Sequence, residues 1–158
     1  MTQGAGPSAD GIDVHATAVA IDNKALLLRG PSGSGKSDLA LRLVDEGARL
    51  IGDDRVRIER RGPALWALAP PAIAEALRHK IEIRGLGIAG LPGLAEAPLM
   101  LVVDLAPGLA PERLPVAQNC HYLGVALPLI ALDPFAASAA AKLRLVVNLG
   151  PGSIIPPP

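Results

Sequence analysis

The residues best suited to chemistry lie between positions 30 and 37, in the segment GPSGSGKS. This segment matches the phosphate-binding pattern G-x-x-x-x-G-K-[ST] at every fixed position. Glycines in such a loop let backbone N–H groups converge on an anion, and the following helix adds the partial positive charge of its N-terminus. The sequence therefore predicts a site for the phosphates of a nucleoside triphosphate or another polyphosphate.

The residues of this loop have distinct predicted contacts. We expect the Lys36 ammonium to reach the β- and γ-phosphates and Ser37 to place its hydroxyl on Mg²⁺. The remaining positions would cradle the phosphates: Gly30, Pro31, Ser32, Gly33, Ser34 and Gly35. The alternative interpretation is an ordinary glycine-rich turn capped by Ser37. The loop does not name the reaction, because kinases, GTPases and ATPases share it.

A Mg²⁺-nucleotide site also needs a carboxylate, and two candidates follow apolar runs. Asp53 comes after ARLIG, and Asp104 comes after LMLVV. Either could face the metal, and Asp104 could equally form a turn at the end of a strand. A GTPase is disfavoured, because the sequence contains no Asn-Lys-x-Asp for guanine.

Three further side chains could belong to the site. Glu82 and Arg84 stand two residues apart, so on an extended segment they would share a face and offer a Mg²⁺ ligand beside a phosphate ligand. Paired surface charges on a strand would have the same pattern and are commoner. His15 begins an apolar run and would point towards the loop if that run pairs with residues 24–29.

The elements that must position these residues mix hairpins with strand-helix-strand units. Strands are predicted over residues 15–21, 24–29, 48–52, 55–60, 64–68 and 99–105, with hairpin turns at 22–23 and 61–63. Helices are predicted over residues 37–46, from 70–71 to about 79, and over 134–150, whereas 81–88 is expected to mix loop with short strand. The predicted fold is therefore α/β, with a mixed sheet and flanking helices.

Composition limits the classes of function. A chain of 158 residues suits one domain, which we expect over residues 11–150, between a loose segment at 1–10 and a proline-rich tail at 151–158. Fifteen basic and fifteen acidic residues balance, and only three residues are aromatic, so we predict no nucleic-acid or membrane partner. The single cysteine, Cys120, and an N-terminus unlike a signal peptide favour the cytoplasm.

Taken together and in this order, His15, the segment GPSGSGKSD, RLIGDDRV and IEIRGLGI resemble the catalytic domain of the HPr kinase/phosphorylase family. These bacterial enzymes phosphorylate a seryl hydroxyl of the phosphocarrier HPr. The resemblance runs from about residue 14 to 149, and IEIRGLGI is its most distinctive part. It implies a P-loop kinase fold, a hexamer, and Mg²⁺-dependent transfer from ATP, another nucleoside triphosphate or pyrophosphate. It leaves open whether phosphoseryl-HPr is also cleaved by phosphate.

The resemblance also implies roles for individual residues, beside the phosphate-loop lysine and serine already named. Asp53 matches the catalytic aspartate near Mg²⁺, which takes the proton of the attacking serine. His15 matches an active-site histidine close to the phosphates. Glu82 matches a second Mg²⁺ ligand, and Arg84 lies within the same signature. Arg113, by position alone, resembles the catalytic arginine on a mobile loop.

Three features differ from the long form of the family. The chain has no room for the extra N-terminal domain, the segment 90–98 is short, and the C-terminal part keeps a strand-then-helix order without Pro-Gly-Arg-Asn. We therefore expect a short form that resembles the catalytic domain only. The alternatives are a P-loop small-molecule kinase and a non-catalytic nucleotide-binding regulator. The presence of Lys36, Ser37, Asp53 and Glu82 argues against the regulator.

Overall fold

The computed structural model describes residues 11–71, 78–113 and 115–150. The segments 1–10 and 151–158, and most of the helix predicted after Pro70, lie outside the described residues. The strands are β1 (Gly11–Val14), β2 (Thr17–Ile21), β3 (Lys24–Arg29), β4 (Arg49–Gly52), β5 (Val56–Arg61), β6 (Ala64–Leu68), β7 (Lys80–Ile83), β8 (Gly87–Gly90), β9 (Glu96–Leu105), β10 (Gln118–Tyr122) and β11 (Val125–Leu132). The helices are α1 (Lys36–Asp45) and α2 (Ala139–Leu149).

Among the described residues, nine strands form one mixed sheet, in which β1-β5-β6-β9-β3-β2-β4 are successive neighbours. The first part of β9 pairs antiparallel with β6, and its last part pairs parallel with β11. Along its other edge β9 pairs parallel with β3. The strands β7 and β8 form a separate hairpin. The predicted α/β fold with a mixed sheet and flanking helices is confirmed.

The hairpin of β2 and β3 delivers the chain into the phosphate loop. Asp22 and Asn23 adopt φ values of 50° and 62°, the left-handed pair that a two-residue hairpin turn needs. Gly33 and Gly35 also have positive φ, at 84° and 97°. The helix α1 then begins one residue earlier than predicted, and Gly47 follows its end with φ 111°. The predicted strand-loop-helix arrangement is confirmed.

The core has two layers, one on each face of the central strands. In β3, Leu26 and Leu28 pack in a cluster with residues of both helices, whereas Leu27 packs in a second cluster. The second cluster includes Ile58 of β5 and Leu65 of β6, so the sheet curls over its own other face. A strand buried on both faces needs apolar residues throughout, which explains the unbroken run in β3. Neither described helix has the length and apolar content that crossing a bilayer requires.

The start of α2 differs from the prediction. The helix begins at Ala139 and not at Pro134, because Asp133 organises a separate turn. The Asp133 carboxylate accepts a hydrogen bond of 2.9 Å from the Phe135 N–H, and its carbonyl accepts one of 3.2 Å from Ala136. Such side-chain bonds offer the backbone an alternative to the helix. The short edge strands β1 and β10 were not predicted, because neither has a distinctive apolar pattern.

Packing of α2 on the sheet gives a direct test of the fold. Leu143 is fully buried, whereas Leu145 on the same helix is 51% exposed. Leu143→Ala is expected to lower the free energy of unfolding by about 2–5 kcal/mol. Leu145→Ala should change it by less than about 0.5 kcal/mol. Guanidinium unfolding followed by circular dichroism measures both, and equal effects would contradict the described orientation of α2.

Candidate active site

The phosphate loop is organised around the buried ammonium of Lys36. Its Nζ donates hydrogen bonds to the carbonyl oxygens of Gly30, at 2.6 Å, and Pro31, at 3.1 Å. The side chain is only 6% exposed, so these partners are needed to hold a charge away from water. An ammonium has three N–H donors, and the third remains for a phosphate oxygen. The lysine ammonium therefore lies inside the loop, where the sequence predicts a phosphate ligand.

Two further features of the loop suit an anion. No side-chain oxygen caps α1, so its first N–H groups and the positive end of its dipole are directed at the loop. The Ser34 hydroxyl is buried and has no hydrogen-bond partner among the described residues. An unpaired buried hydroxyl costs about 1–3 kcal/mol, so a ligand rich in acceptor oxygens fits this environment. The loop thus has the donors that phosphates require.

Asp53 lies against the end of the phosphate loop. Its Oδ1 accepts a hydrogen bond of 2.8 Å from the Thr17 hydroxyl and one of 3.1 Å from the Ser37 hydroxyl. Thr17 is fully buried, and its Oγ1 also accepts the Asp54 N–H at 3.3 Å. The carboxylate therefore bridges β2, the start of α1 and the turn after β4. This arrangement brings an acidic oxygen next to the hydroxyl predicted to bind Mg²⁺.

The turn after β4 is what directs Asp53 inward. The pairing of β2 with β4 shifts register next to Ala18, whose partner is Gly52. A Cβ at Gly52 would stand 2.9 Å from the Arg55 carbonyl oxygen, so the turn is too tight for a side chain there. Asp54 adopts φ 67°, a conformation that Asp tolerates better than most residues. The backbone thus reverses between Gly52 and Arg55 with Asp53 facing the loop.

The environment of Asp53 changes its acidity. Burial raises the pKa of the Asp53 carboxyl above its usual value, and the neighbouring Asp54 charge adds to this. The hydrogen bonds from Thr17 and Ser37 and the charge of Lys36 act in the opposite direction, but burial has the largest effect on the pKa. A raised pKa makes the carboxylate a better proton acceptor near neutral pH.

Asp104, the other candidate carboxylate, is committed elsewhere. Both its oxygens accept hydrogen bonds from Arg29, at 2.7 Å from Nε and 2.9 Å from Nη2. Arg29 also donates to the Tyr122 hydroxyl at 3.1 Å and to the Cys120 sulfur at 3.3 Å. This two-pronged ion pair has the geometry of a strong structural contact. Of the two candidates, Asp53 is the one that contacts Ser37.

A cleft beside Asp53 also contains the second predicted metal ligand. The cleft has a volume of about 220 Å³, and both Asp53 and Glu82 line it. Three cations also line it: Arg55, Arg78 and Lys80. Among the described residues, no three His, Cys, Asp or Glu side chains form a ready metal cluster. Mg²⁺ commonly keeps waters and substrate phosphates as ligands, so the oxygens of Ser37 and one or two carboxylates suffice for it.

The other predicted site residues occupy more exposed positions. His15 lies in the bend before β2, where its Nε2 is 2.8 Å from the Asp54 carboxylate. Arg113 is exposed on the connection between β9 and β10. Arg84 lies in the turn of the β7–β8 hairpin, after Glu82 in the strand. The two were expected to share a face on an extended segment, and that condition is not met, because the chain turns after β7.

Two contributing residues were not identified from the sequence. Thr17 is the one polar residue in the apolar run Ala16–Ile21, and a buried hydroxyl in such a run needs a partner. Arg29 is the last residue of β3, directly before the loop. A single threonine in an apolar run indicates a buried polar contact. The sequence does not identify Asp53 as the partner of Thr17, because that contact depends on the pairing of β2 with β4.

The chain is similar in sequence to known proteins of one family. The family profile described as "HPr Serine kinase C-terminal domain" matches residues 8–94. The HPr kinase/phosphorylase of Exiguobacterium sp. is 43% identical over 75 residues, which cover 48% of this chain and 23% of that protein. The HPr kinase/phosphorylase of Chloroherpeton thalassium is 31% identical over 146 residues, covering 85% of this chain and 42% of that protein. The chain therefore spans less than half the length of these curated relatives.

A solved structure shares the fold. The Hpr(Ser) kinase/phosphatase from Coxiella burnetii superposes with a TM-score of 0.72 at 22% sequence identity. The match covers 87% of this chain and 94% of that one. The overall fold of this chain is thus a known architecture.

The Thr17 hydrogen bonds can be tested by removing the hydroxyl at nearly constant shape. Thr17→Val removes, from a fully buried position, the hydroxyl that donates to Asp53 and accepts the Asp54 N–H. We expect the free energy of unfolding to fall by about 1–3 kcal/mol. Thr17→Ser keeps the hydroxyl, so its free energy of unfolding should fall by less than that of Thr17→Val. Urea unfolding of the two variants decides this, and a smaller loss in Thr17→Val than in Thr17→Ser would mean that the methyl group, not the hydroxyl, is what matters.

The raised pKa of Asp53 predicts a stabilising substitution. Between the unfolded-state and folded-state pKa values the folded protein binds more protons, so its free energy of unfolding falls as pH rises through that interval. Asp53→Asn removes this pH-dependent loss of stability, because asparagine does not ionise. In metal-free buffer at pH 7 the variant should therefore have a higher melting temperature than wild type. The difference should shrink as pH falls towards the ordinary carboxyl range. A lower melting temperature for Asp53→Asn at pH 7 would contradict the prediction.

Proposed function

The chain belongs to the HPr Serine kinase C-terminal domain family, and we propose that it is a Mg²⁺-dependent serine protein kinase. It transfers the γ-phosphoryl group of a nucleoside triphosphate to a seryl hydroxyl of the phosphocarrier HPr or a paralogue. The observation that carries the proposal is the contact of Asp53 with Ser37 at the end of the phosphate loop. That contact puts a proton acceptor beside the predicted metal and phosphate ligands.

The donor would be held by the phosphate loop. The backbone N–H groups of residues 30–37, except Pro31, which has none, and the third N–H of Lys36 would donate hydrogen bonds to its phosphate oxygens. The Ser37 hydroxyl and the carboxylates of Asp53 and Glu82 supply oxygen ligands of the kind that Mg²⁺ takes. Held by these residues, Mg²⁺ would supply positive charge that stabilises the phosphates during transfer.

Asp53 would activate the acceptor serine. The carboxylate takes the hydroxyl proton as the seryl oxygen attacks the γ-phosphorus in line. A new seryl O–P bond forms, the bond from the γ-phosphorus to the β-phosphate bridging oxygen breaks, and the diphosphate leaves. The raised pKa supports this role, because a partly dehydrated carboxylate accepts a proton more readily. In phosphorolysis the same group would return the proton to the departing seryl oxygen.

The other site residues would assist around this centre. His15 is 2.8 Å from Asp54, next in sequence to the proposed base, which supports a role near the phosphates. Arg84 in the hairpin turn and Arg113 on the connection between β9 and β10 are both exposed, so both are accessible to a bound protein. We assign them, by family resemblance, to phosphate binding and catalysis respectively.

The proposal extends to partners and location. By family resemblance, we propose a homo-oligomer, expected to be a hexamer, and a cytoplasmic enzyme that needs neither nucleic acid nor membrane. ATP, another nucleoside triphosphate or pyrophosphate could each present phosphates to the loop. Whether the chain also removes phosphate from phosphoseryl-HPr is a separate activity, which added inorganic phosphate would reveal.

Transfer of labelled γ-phosphate from Mg²⁺-ATP to purified HPr tests the kinase. Wild type should label HPr, and an HPr with alanine at its target serine should stay unlabelled. Lys36→Ala should abolish labelling. Asp53→Asn should retain Mg²⁺-nucleotide binding but lose at least about a hundredfold in rate, as expected for removal of a general base.

Asp104→Asn is the matched control for the acid, since it neutralises the other strand-end aspartate. It weakens the ion pair with Arg29 and should chiefly lower stability, leaving the transfer rate within a few-fold of wild type. If Asp104→Asn lost transfer while Asp53→Asn retained it, the assignment of the base would be wrong.

A further inference from the structure

Phe135 is an aromatic side chain that the proposed reaction does not use. It is one of three aromatic residues in the chain, and it is 56% exposed in the turn between β11 and α2. A single exposed apolar side chain needs no explanation by itself. Phe135 does need an explanation, because it lies against the phosphate loop.

The ring of Phe135 lies against the last glycine of the phosphate loop. A Cβ at Gly35 would stand 3.0 Å from Phe135 Cζ, 3.2 Å from its Cε1 and 3.0 Å from Pro134 Cγ. The ring therefore touches the loop through its outer edge, while more than half of the side chain stays open. Gly35 itself admits no side chain, because the space is taken and its φ is 97°.

The turn that bears the ring is fastened at two points. The Asp133 carboxylate accepts the Phe135 N–H at 2.9 Å. The Arg42 guanidinium of α1 donates a hydrogen bond to the Pro134 carbonyl oxygen. The same guanidinium forms an ion pair of 3.0 Å with the Asp38 carboxylate. Because α1 begins at the phosphate loop, these contacts fix the backbone that bears the ring relative to the loop. A turn held in advance loses little backbone entropy when a flat ligand packs on its side chain.

Strand topology puts this turn where a ligand of the loop would extend. The parallel strands β3, β9 and β11 end at one edge of the sheet, and β11 leads directly into residues 133–135. In open α/β sheets, ligands bind outside the carboxyl ends of such strands. The phosphate loop follows β3 at the same edge, so a nucleotide whose phosphates lie in the loop has Phe135 beside it.

We propose that Phe135 is the surface on which the base of the donor nucleotide stacks. The inference rests on the proposed nucleotide site and adds the element that distinguishes a nucleotide from a bare polyphosphate. Every nucleobase has a π-face, so stacking adds affinity without selecting adenine over guanine. The site therefore prefers nucleoside triphosphates to tripolyphosphate and discriminates weakly among the bases.

Titration calorimetry with Mg²⁺-ATP, Mg²⁺-GTP and Mg²⁺-tripolyphosphate tests this on the full chain. Phe135→Ala should weaken binding of both nucleotides about tenfold and leave tripolyphosphate binding unchanged. Phe135→Trp keeps an aromatic face and should bind nucleotides at least as tightly as wild type. Leu149→Ala is the control, since Leu149 is 55% exposed on α2 and should alter no affinity. Melting curves of the variants establish that each is folded.

Several outcomes would overturn the inference. Equal loss of nucleotide and tripolyphosphate binding in Phe135→Ala would mean that the ring only supports the loop. Unchanged nucleotide binding in Phe135→Ala, with or without an altered oligomeric state, would mean that the ring has another use. Equal affinity of wild type for ATP and tripolyphosphate would show that the base makes no favourable contact, and would leave the kinase proposal intact. Conversely, nucleotide binding that depends on Phe135 without transfer to HPr would overturn the kinase and not this inference.

Discussion

The parallel pairing of β3 with β9 is the contact on which the rest of the structure depends. Its register sets Leu27 beside Val102 and Arg29 beside Asp104. Both strands are buried on both faces, so a shift by one residue would exchange the two core layers. The ion pair of Arg29 with Asp104 closes the end of this pairing, directly before Gly30. The start of the phosphate loop is therefore held by backbone and side-chain contacts together.

The strand β2 links this paired region to Asp53. It pairs antiparallel with β3 on one side and with β4 on the other, so the end of β4 is positioned relative to the phosphate loop through two sets of backbone hydrogen bonds. Thr17 completes the connection, since its hydroxyl holds Asp53 and the following backbone N–H at once. Asp53 and Ser37, separated by 16 positions, meet as a consequence. The geometry of the candidate site thus follows from sheet pairing.

The two strand-end carboxylates, Asp53 and Asp104, differ in what surrounds them. Their surroundings suit Asp104 to a structural contact and Asp53 to proton transfer. Asp104 is matched by a guanidinium on both oxygens and so contributes a stable contact. Asp53 receives hydroxyl donors but is partly removed from water, which raises its pKa. Holding such a group costs stability in the absence of a ligand and makes it a better proton acceptor. Sites that bind metal or transfer protons commonly combine these properties.

The sequence by itself determined the features that depend on neighbouring residues. The phosphate loop, the Asp22-Asn23 turn and the apolar central strands follow from short-range patterns, and the resemblance carried by four segments indicated the family. Residue patterns alone left the choice between Asp53 and Asp104 open. Only the tertiary structure decided which carboxylate contacts the loop, that Thr17 supports it, and where α2 begins. Those outcomes depend on strand register and on which side chains burial brings together, and neither is encoded in any single short stretch of chain.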